Sequence, residues 1–330
     1  MKPERRTVAI VGAGISGLTC ARELVEDGFK VTVFDKGRNA GGRTATRRIE
    51  DHLQFDHGAQ YFTARDPQFL KVTENWISRG IVAEWHGSIV RLEQGDFTET
   101  SPQARYVGVP GMTAMANDLS TGISIQSGTH VTSVNFGNSG WTITTAHHGT
   151  FGPFETMVVT LPAPQASQLL NEPPIQAVAA EISMTPCWAV MVAFQSRIEV
   201  PWDGAFVHRS PLSWVARNSS KPGRCQLADC WVLHGGGDWS QAHLEMAPEI
   251  AATELLSAFA AAISRPLPEF EFLKAHRWRY SHGSDANSHR ICFDPKMGFV
   301  ACGDWLAGGR VEGAFLSGRQ AAAAIREICG

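Results

Sequence analysis

The sequence lacks the features that would take the protein to a membrane, to nucleic acid or to a metal. No run of about 18 apolar residues occurs, so no membrane-spanning helix is expected. Basic residues are not in excess, with 29 Lys and Arg against 32 Asp and Glu, and nucleic acid is therefore not an expected partner. The seven cysteines are scattered, and neither zinc-type Cys and His spacing nor an H-E-x-x-H motif occurs. We expect a cytoplasmic protein with reduced thiols and no bound metal.

The N-terminal segment has the pattern of a dinucleotide-binding unit. Residues 7–11 form a short apolar, β-branched run that predicts a buried parallel strand. The six residues that follow match G-x-G-x-x-G: Gly12, Ala13, Gly14, Ile15, Ser16 and Gly17. Helical spacing over residues 18–27 and an alternating strand over 30–34 come next, and that strand ends at Asp35. This order of strand, glycines, helix, strand and acid predicts a bound dinucleotide.

Each part of this unit has a physical role. Gly12 permits a tight turn, Gly14 lets a pyrophosphate approach the backbone, and Gly17 lets the helix pack closely on the strand. The N–H groups at the helix start are free to bind phosphate. Asp35, followed by Lys36, stands at about the distance expected of the acid that binds ribose hydroxyls. The competing interpretation is a glycine-rich turn in an unrelated α/β protein.

The residues after Asp35 resemble the FAD-dependent amine oxidase superfamily. In that group a G-G-R sequence follows the ribose-binding acid, and its Arg and backbone lie along the FAD pyrophosphate. Gly42 and Arg43 match it here. The resemblance also places Val131, in a predicted strand, where the group contacts the adenine half of FAD. The alternative for Arg43 is a solvated side chain in a glycine loop.

The C-terminal segment carries a second resemblance to flavoproteins. An apolar run over residues 298–302 ends in Gly303 and Asp304, and a helical pattern follows Gly313. The resemblance implies that Asp304 binds the flavin ribityl chain and that the helix N-terminus points at the flavin. Because a nicotinamide dehydrogenase would not be expected to carry this second signature, the predicted cofactor is FAD.

Residues 55–66 (FDHGAQYFTARD) resemble the signature of the renalase family, bacterial type, within that superfamily. The resemblance implies an oxidase of isomeric dihydronicotinamide dinucleotides, chiefly the 2-dihydro form, which yields NAD(P)+ and H2O2. The predicted contacts to the flavin come from a short loop: His57, Gly58, Ala59, Gln60 and Tyr61. Gln60 could also bind a substrate carboxamide and Tyr61 could stack on a nicotinamide. Core packing for Tyr61 and a structural role for His57 are the alternatives.

No catalytic residue is predicted to be obligatory. Hydride is expected to pass from the substrate carbon to flavin N5, and a dihydropyridine that loses hydride releases no proton from that carbon. The cofactor would supply the chemistry, and the protein the orientation and electrostatics. The sequence agrees, because it contains no convincing Ser-His-Asp or Cys-His constellation.

The pattern predicts an α/β plus α+β protein with the p-hydroxybenzoate hydroxylase type of fold. A discontinuous Rossmann-like FAD domain is expected over residues 1–65, 109–173 and 272–330. A substrate domain with an antiparallel sheet is expected over residues 66–108 and 174–271. Residues 81–85 and 88–92 are predicted to pair as a hairpin, and residues 218–223 to form a surface loop.

The pocket over the flavin is the least defined part of the sequence. Trp202, Trp278 and Tyr280 are predicted to line it, and Arg279 to meet substrate phosphates, although a solvated strand face is equally consistent for Arg279. Three other functions remain open. They are an amine oxidase on the same fold, a flavin-bound scaffold without activity, and a nicotinamide-dependent dehydrogenase, which would be colourless.

Overall fold

The computed structural model describes residues 6–49, 53–169, 179–283 and 290–329. The strands, in chain order, are β1 (Thr7–Val11), β2 (Lys30–Phe34), β3 (Thr46–Ile49), β4 (Leu53–Asp56), β5 (Val82–Glu84), β6 (Ile89–Glu93), β7 (Asp96–Glu99), β8 (Tyr106–Gly108), β9 (Ser124–Gln126), β10 (Val131–Gly137), β11 (Gly140–Thr145), β12 (Thr150–Phe154), β13 (Thr156–Val159), β14 (Met184–Phe194), β15 (Gly204–Val207), β16 (Leu212–Arg217), β17 (Asp229–Gly235), β18 (Phe270–Gly283), β19 (Ile291–Asp294) and β20 (Phe299–Cys302). The helices are α1 (Ile15–Glu26), α2 (Pro67–Ser78), α3 (Ala114–Ser120), α4 (Ala163–Leu169), α5 (Gly237–Ala242), α6 (Pro248–Ile263) and α7 (Val311–Cys329).

The first sheet is a mostly parallel layer of six strands in the order β19-β20-β13-β1-β2-β9. Strand β1 lies at its centre, parallel to both β2 and β13. Val8 and Ile10 pack beneath α1 and α7, whereas Ala9 and Val11 pack against the small sheet of β10, β11 and β12. A strand covered on both faces has to be apolar throughout, which explains its unbroken hydrophobic run.

The second sheet has seven strands in the order β18-β14-β17-β16-β15-β6-β7 and is antiparallel except where β6 pairs with β15. One of its faces is closed by α6, whose Leu255 and Phe259 are fully buried against Val190, Val192 and Trp231. The mixed α/β architecture with a Rossmann-like unit agrees with the predicted fold class. No helix among the described residues has both the length and the apolar character needed to cross a bilayer.

The predicted hairpin between residues 81–85 and 88–92 is wrong. Strand β5 pairs instead with β8, and β6 pairs with β7 and β15. Gln94 and Gly95 both have positive φ, at 49° and 92°, and form the tight turn that joins β6 to β7. The turn was missed because Gln-Gly is not one of the usual hairpin dipeptides.

The domain boundary predicted between residues 271 and 272 falls within a strand. Residues 272–283, predicted in the FAD domain, continue strand β18 and form the edge of the second sheet beside β14. Their fourteen-residue strand runs without interruption from Phe270 to Gly283, so the sheet, and not the predicted boundary, fixes their position. The boundary predicted between residues 173 and 174 lies outside the described residues.

Candidate active site

One cavity of about 1270 Å³ is lined both by the glycine turn of the first sheet and by residues of the second sheet. Gly14 and Asp304, from opposite ends of the chain, both line it. Of the predicted cofactor residues, most line this cavity: Gly12, Gly14, Ile15, Ser16, Asp35, Lys36, Gly42, Arg43, Gly58, Ala59, Gln60, Tyr61, Val131, Gly303 and Asp304. Ala13, Gly17, His57 and Gly313 lie behind its wall.

The glycine turn leaves backbone N–H groups free at the start of α1. Gly12 has a φ of 113°, which only glycine adopts readily. A Cβ on Gly17 would stand 2.1 Å from the Gly12 carbonyl oxygen, so α1 can approach β1 only with glycine there. The N-cap of α1 is Gly14, which has no side chain to satisfy the first turn. These unsatisfied N–H groups suit a phosphate.

Asp35 is held rigidly at the end of β2. Its Oδ2 accepts the Ala13 N–H at 2.6 Å, and its Oδ1 accepts the Gly37 N–H at 2.6 Å. A carboxylate has about four acceptor positions, so each oxygen retains one for a ribose hydroxyl. Ala13 therefore contributes by orienting Asp35, although it does not face the cavity.

Arg43 and Asp304 bind each other across the cavity wall. The Arg43 guanidinium donates to both carboxylate oxygens of Asp304, at 2.9 and 2.6 Å, and to the Ser281 carbonyl at 2.9 Å. This pair joins residues that are 261 positions apart. Gly313 lies in the first turn of α7, where a Cβ would stand 2.0 Å from the Ala307 carbonyl oxygen. Gly313 thus acts through close packing of the helix start.

These groups fit FAD. Free N–H groups at α1 suit the pyrophosphate, and Asp35 suits the adenosine ribose. The segment from Gly42 to Arg43 and the loop from Gly58 to Tyr61 form the wall between the glycine turn and the second sheet. A Cβ on Gly58 would stand 2.0 Å from the Arg43 carbonyl oxygen, so the two segments touch.

Three histidines gather where the cavity meets the second sheet. His57 is buried, with its ring 5.1 Å from that of Trp278 in a stacked arrangement and 4.9 Å from that of His276. Burial lowers the pKa of His57 to about 3 and that of His234 to about 4. Burial and the nearby Arg47 lower the pKa of His276 to about 4. All three rings are therefore uncharged at neutral pH.

A buried ionic cluster supports the loop that carries His57. It comprises Asp56, Lys221 and Arg224, whose side chains are at most 1% exposed. Arg224 donates to Asp56 Oδ2 at 2.5 Å, and Lys221 Nζ lies 3.4 Å from the same oxygen. Burial raises the pKa of Asp56, but Lys221 and Arg224 outweigh it and lower the pKa to about 2. Burial lowers the pKa of Lys221 to about 8.

This cluster was missed in the sequence. Residues 218–223 were predicted as a surface loop, yet Asn218 is fully buried and Lys221 is 1% exposed. The polar loop is buried because its side chains find partners: Asn218 Nδ2 donates to the Gln54 carbonyl at 2.7 Å, and Lys221 donates to Gln60 Oε1 at 3.1 Å. The signal in the sequence that could have indicated this cluster is a pair of basic residues, Lys221 and Arg224, three positions apart in a turn-rich stretch.

The predicted substrate residues divide into three groups. Tyr61, Trp278 and Tyr280 line the cavity. Arg279 lies at its edge and donates to Glu245 Oε1 at 2.7 Å. Trp202 does not line it. The Trp202 ring packs in the core of the second sheet instead, because its neighbours there are apolar. It lies perpendicular to the Trp231 ring, with the two ring centroids 5.6 Å apart.

Cavity residues that the sequence did not reveal come from the second sheet. Phe206, Trp214, His234 and His276 line the cavity. The Trp214 ring lies 5.5 Å from that of Tyr61 and 4.8 Å from that of Phe206. Within the described part of the chain, no three or more His, Cys, Asp or Glu side chains are placed so that they could hold a metal ion together.

Two protein-family models match the chain. Residues 10–75 match the NAD(P)-binding Rossmann-like domain, and residues 84–326 match the flavin containing amine oxidoreductases. Matches to individual proteins are short. One is 50% identical over 46 residues to Protein FLOWERING LOCUS D of Arabidopsis thaliana and spans 14% of this chain and 6% of that protein. Another is 37% identical over 59 residues to a 4-hydroxybenzoate brominase of Pseudoalteromonas luteoviolacea and spans 18% of this chain and 11% of that enzyme.

Solved structures share the fold over nearly the whole chain. A protein of Exiguobacterium sp. 255-15 assigned as a protoporphyrinogen oxidase superposes with a TM-score of 0.81 at 12% identity, over 98% of this chain and 99% of that one. Putrescine oxidase bound to putrescine superposes with a TM-score of 0.74 at 15% identity, with the same coverage. At such identities these likenesses show the fold alone.

Proposed function

Because this chain belongs to the family of flavin containing amine oxidoreductases, we propose that it is an FAD-dependent oxidase of isomeric dihydronicotinamide dinucleotides. The substrate would lose a hydride to become NAD(P)+, and dioxygen would take up the two electrons and two protons to become H2O2. The hydride itself supplies both electrons and one of the two hydrogens, and the second hydrogen is a proton from solvent. The resemblance of residues 55–66 to the renalase family is the starting point of this proposal.

The charge of the cavity wall carries the proposal. Among the described residues, two carboxylates line the cavity, Asp35 and Asp304. Six cations line it: Lys36, Arg43, Arg65, Arg277, Arg279 and Arg310. Arg43 is paired with Asp304, and Arg277 and Arg279 share Glu245, so a positive excess remains after these pairs are counted. The chain as a whole has a formal charge of −3, so this cationic surface is local. A wall of this sign attracts phosphate-bearing ligands and repels ammonium ions.

The aromatic end of the cavity suits a planar, uncharged ring. Tyr61 and Phe206 both lie against Trp214 in this part of the wall, whereas the two carboxylates of the wall are engaged by other groups, Asp35 by backbone N–H groups and Asp304 by Arg43. FAD, when bound, accepts hydride and transfers electrons to dioxygen. The chain's own part is to orient the ring, exclude water and keep the nearby histidines neutral. Since hydride loss from a dihydropyridine needs no base, the absence of a charged acid-base pair at this end is compatible with that reaction.

An amine oxidase is the second candidate, favoured by the family and by the fold shared with putrescine oxidase. A neutral amine would fit between the aromatic rings, but the distal ammonium of a diamine such as putrescine would be expected to require a carboxylate nearby. The two carboxylates of the wall among the described residues, Asp35 and Asp304, are both already engaged by other groups.

The test is anaerobic mixing of the yellow protein with borohydride-reduced NAD+, a mixture of dihydro isomers, while flavin absorbance is followed. We expect rapid bleaching, and recovery with formation of H2O2 when air is admitted. Benzylamine and putrescine are the matched alternatives. Bleaching by an amine and not by the isomers would establish the amine oxidase, and no bleaching by any of them would support the inactive scaffold.

A further inference from the structure

Hydrogen bonds to Lys221 and to two backbone carbonyls fix the orientation of the Gln60 side chain. Lys221 Nζ has only donors to offer, and it lies 3.1 Å from Gln60 Oε1. The amide oxygen therefore faces Lys221, and the NH2 group faces the opposite way. That NH2 group donates to the Asp56 carbonyl and, at 3.1 Å, to the Gly58 carbonyl. Both of its hydrogens are used, so Gln60 has no donor left for a ligand.

This arrangement determines the tautomer of His234. Its Nε2 lies 3.5 Å from Gln60 Nε2 and 3.3 Å from the His57 carbonyl oxygen. Gln60 has no hydrogen to spare, so Nε2 is stabilised only if it carries the proton and donates to the His57 carbonyl. A neutral imidazole has one protonated nitrogen. The Nδ1 atom of His234 is therefore an acceptor.

The Nδ1 acceptor has no partner among the described residues, and it is not shut off from the cavity. His234 is partly exposed and lines the cavity, so its Nδ1 atom is not buried out of reach of a ligand. It stands opposite Trp214 in the pairing of β16 with β17. A neutral acceptor beside an aromatic wall suits an uncharged N–H donor.

We propose that His234 is a specificity-determining residue that accepts a hydrogen bond from a primary carboxamide on the substrate ring. The inference rests on the proposed function and replaces Gln60, the residue that the sequence suggested for this contact. Gln60 and Lys221 are positioning residues, since they hold the His234 ring in the tautomer that accepts.

The ligand pair that tests this contact is NAD+ and its 3-acetylpyridine analogue. The analogue keeps the carbonyl but replaces the NH2 group by a methyl group. Dissociation constants are measured on the FAD-loaded protein from the flavin absorbance change, or from inhibition of bleaching by the dihydro isomers. One neutral hydrogen bond corresponds to about three- to tenfold in affinity. We expect the wild-type protein to bind NAD+ more tightly than the analogue by that factor.

The variants are His234→Leu and, as the matched control, His276→Leu, which removes a second histidine from the same cavity. In His234→Leu the two dissociation constants should become equal, whereas His276→Leu should retain the preference for NAD+. A wild-type protein without the preference overturns the inference, and this measurement requires no variant. A preference that survives in His234→Leu, or disappears in His276→Leu instead, overturns it equally. Failure of the dihydro isomers to bleach the flavin would count against the proposed function itself.

Discussion

Replacing Asp56 by Asn should destabilise the protein strongly, because it leaves Lys221 and Arg224 buried without a counter-ion. The substituted side chain could still accept the Met112 N–H, which now donates to Asp56 Oδ1 at 2.9 Å. The loss is therefore mainly that of charge. Breaking a buried ion pair from one side costs about 3–5 kcal/mol, a large part of the free energy of unfolding of a typical domain.

The assay is urea unfolding at neutral pH, followed by tryptophan fluorescence. Asp96→Asn is the control, since Asp96 is exposed in the β6–β7 hairpin, and a surface change of this kind shifts the free energy of unfolding by about 0.5 kcal/mol or less. Equal losses in the free energy of unfolding for Asp56→Asn and Asp96→Asn would refute the stabilising role of the cluster.

The destabilisation caused by Asp56→Asn should also depend on pH, in a direction that follows from the pKa of Asp56. That pKa falls from 3.8 to about 2 on folding, so the carboxylate contributes stability that is complete above about pH 4. The contribution, about 2 kcal/mol, is lost as the pH falls through about 2. The difference in the free energy of unfolding between wild type and Asp56→Asn should therefore become smaller as the pH falls from 4 to 2. A difference that stays constant over that window would contradict the assigned cause.

Three further predictions concern the cavity. Asp304→Ala should reduce flavin retained per protein on gel filtration, because it removes a predicted ribityl contact and leaves Arg43 unpaired; full occupancy would count against both roles. Gly17→Ala should abolish flavin binding or folding, since its Cβ would lie 2.1 Å from the Gly12 carbonyl oxygen, whereas Gly28→Ala, with open space around its Cβ position but a φ of 88°, should cost only about 1 kcal/mol. The limiting rate of flavin reduction should be flat between about pH 5 and 7, because the pKa values of His57, His234 and His276 all lie at about 3 or 4; a titration in that window would refute their neutrality.

The first sheet was predictable because its signals are local. The strand at residues 7–11, the glycine turn and Asp35 lie within one short unit, and each position has a steric or electrostatic reason that a sequence displays directly. The pairing of Arg43 with Asp304 bridges 261 positions. Its two halves were found only because each resembles a segment of a known superfamily.

The second sheet was harder to predict because its contacts are non-local. Asp56 and Lys221 are 165 positions apart, and the local sequence around either residue does not indicate that the two form a pair. A polar loop is ordinarily a surface loop, since burial leaves backbone and side-chain groups without partners. Residues 218–224 escape that rule because β4, Gln60 and the Gly108 carbonyl supply partners. Trp202 and Trp214 are equally good candidates by composition, but Trp214 lies on β16 opposite His234 and lines the cavity, whereas Trp202 precedes β15 and packs in the core.

The buried cluster of Asp56, Lys221 and Arg224 also explains how the flavin-edge loop keeps its position relative to the second sheet. Asp56 ends β4, and the flavin-edge loop from His57 to Tyr61 follows directly, whereas Lys221 and Arg224 follow β16 of the second sheet. Exposed ion pairs could not fix this geometry, because each stabilises by less than about 1 kcal/mol. A buried carboxylate with two cations has no comparable alternative arrangement, since any displacement leaves a charge without a partner. The three charged side chains, none of which lines the cavity, thus fix the flavin-edge loop against the second sheet together with the packing of Leu53 and Phe55 on Met191 and Val232.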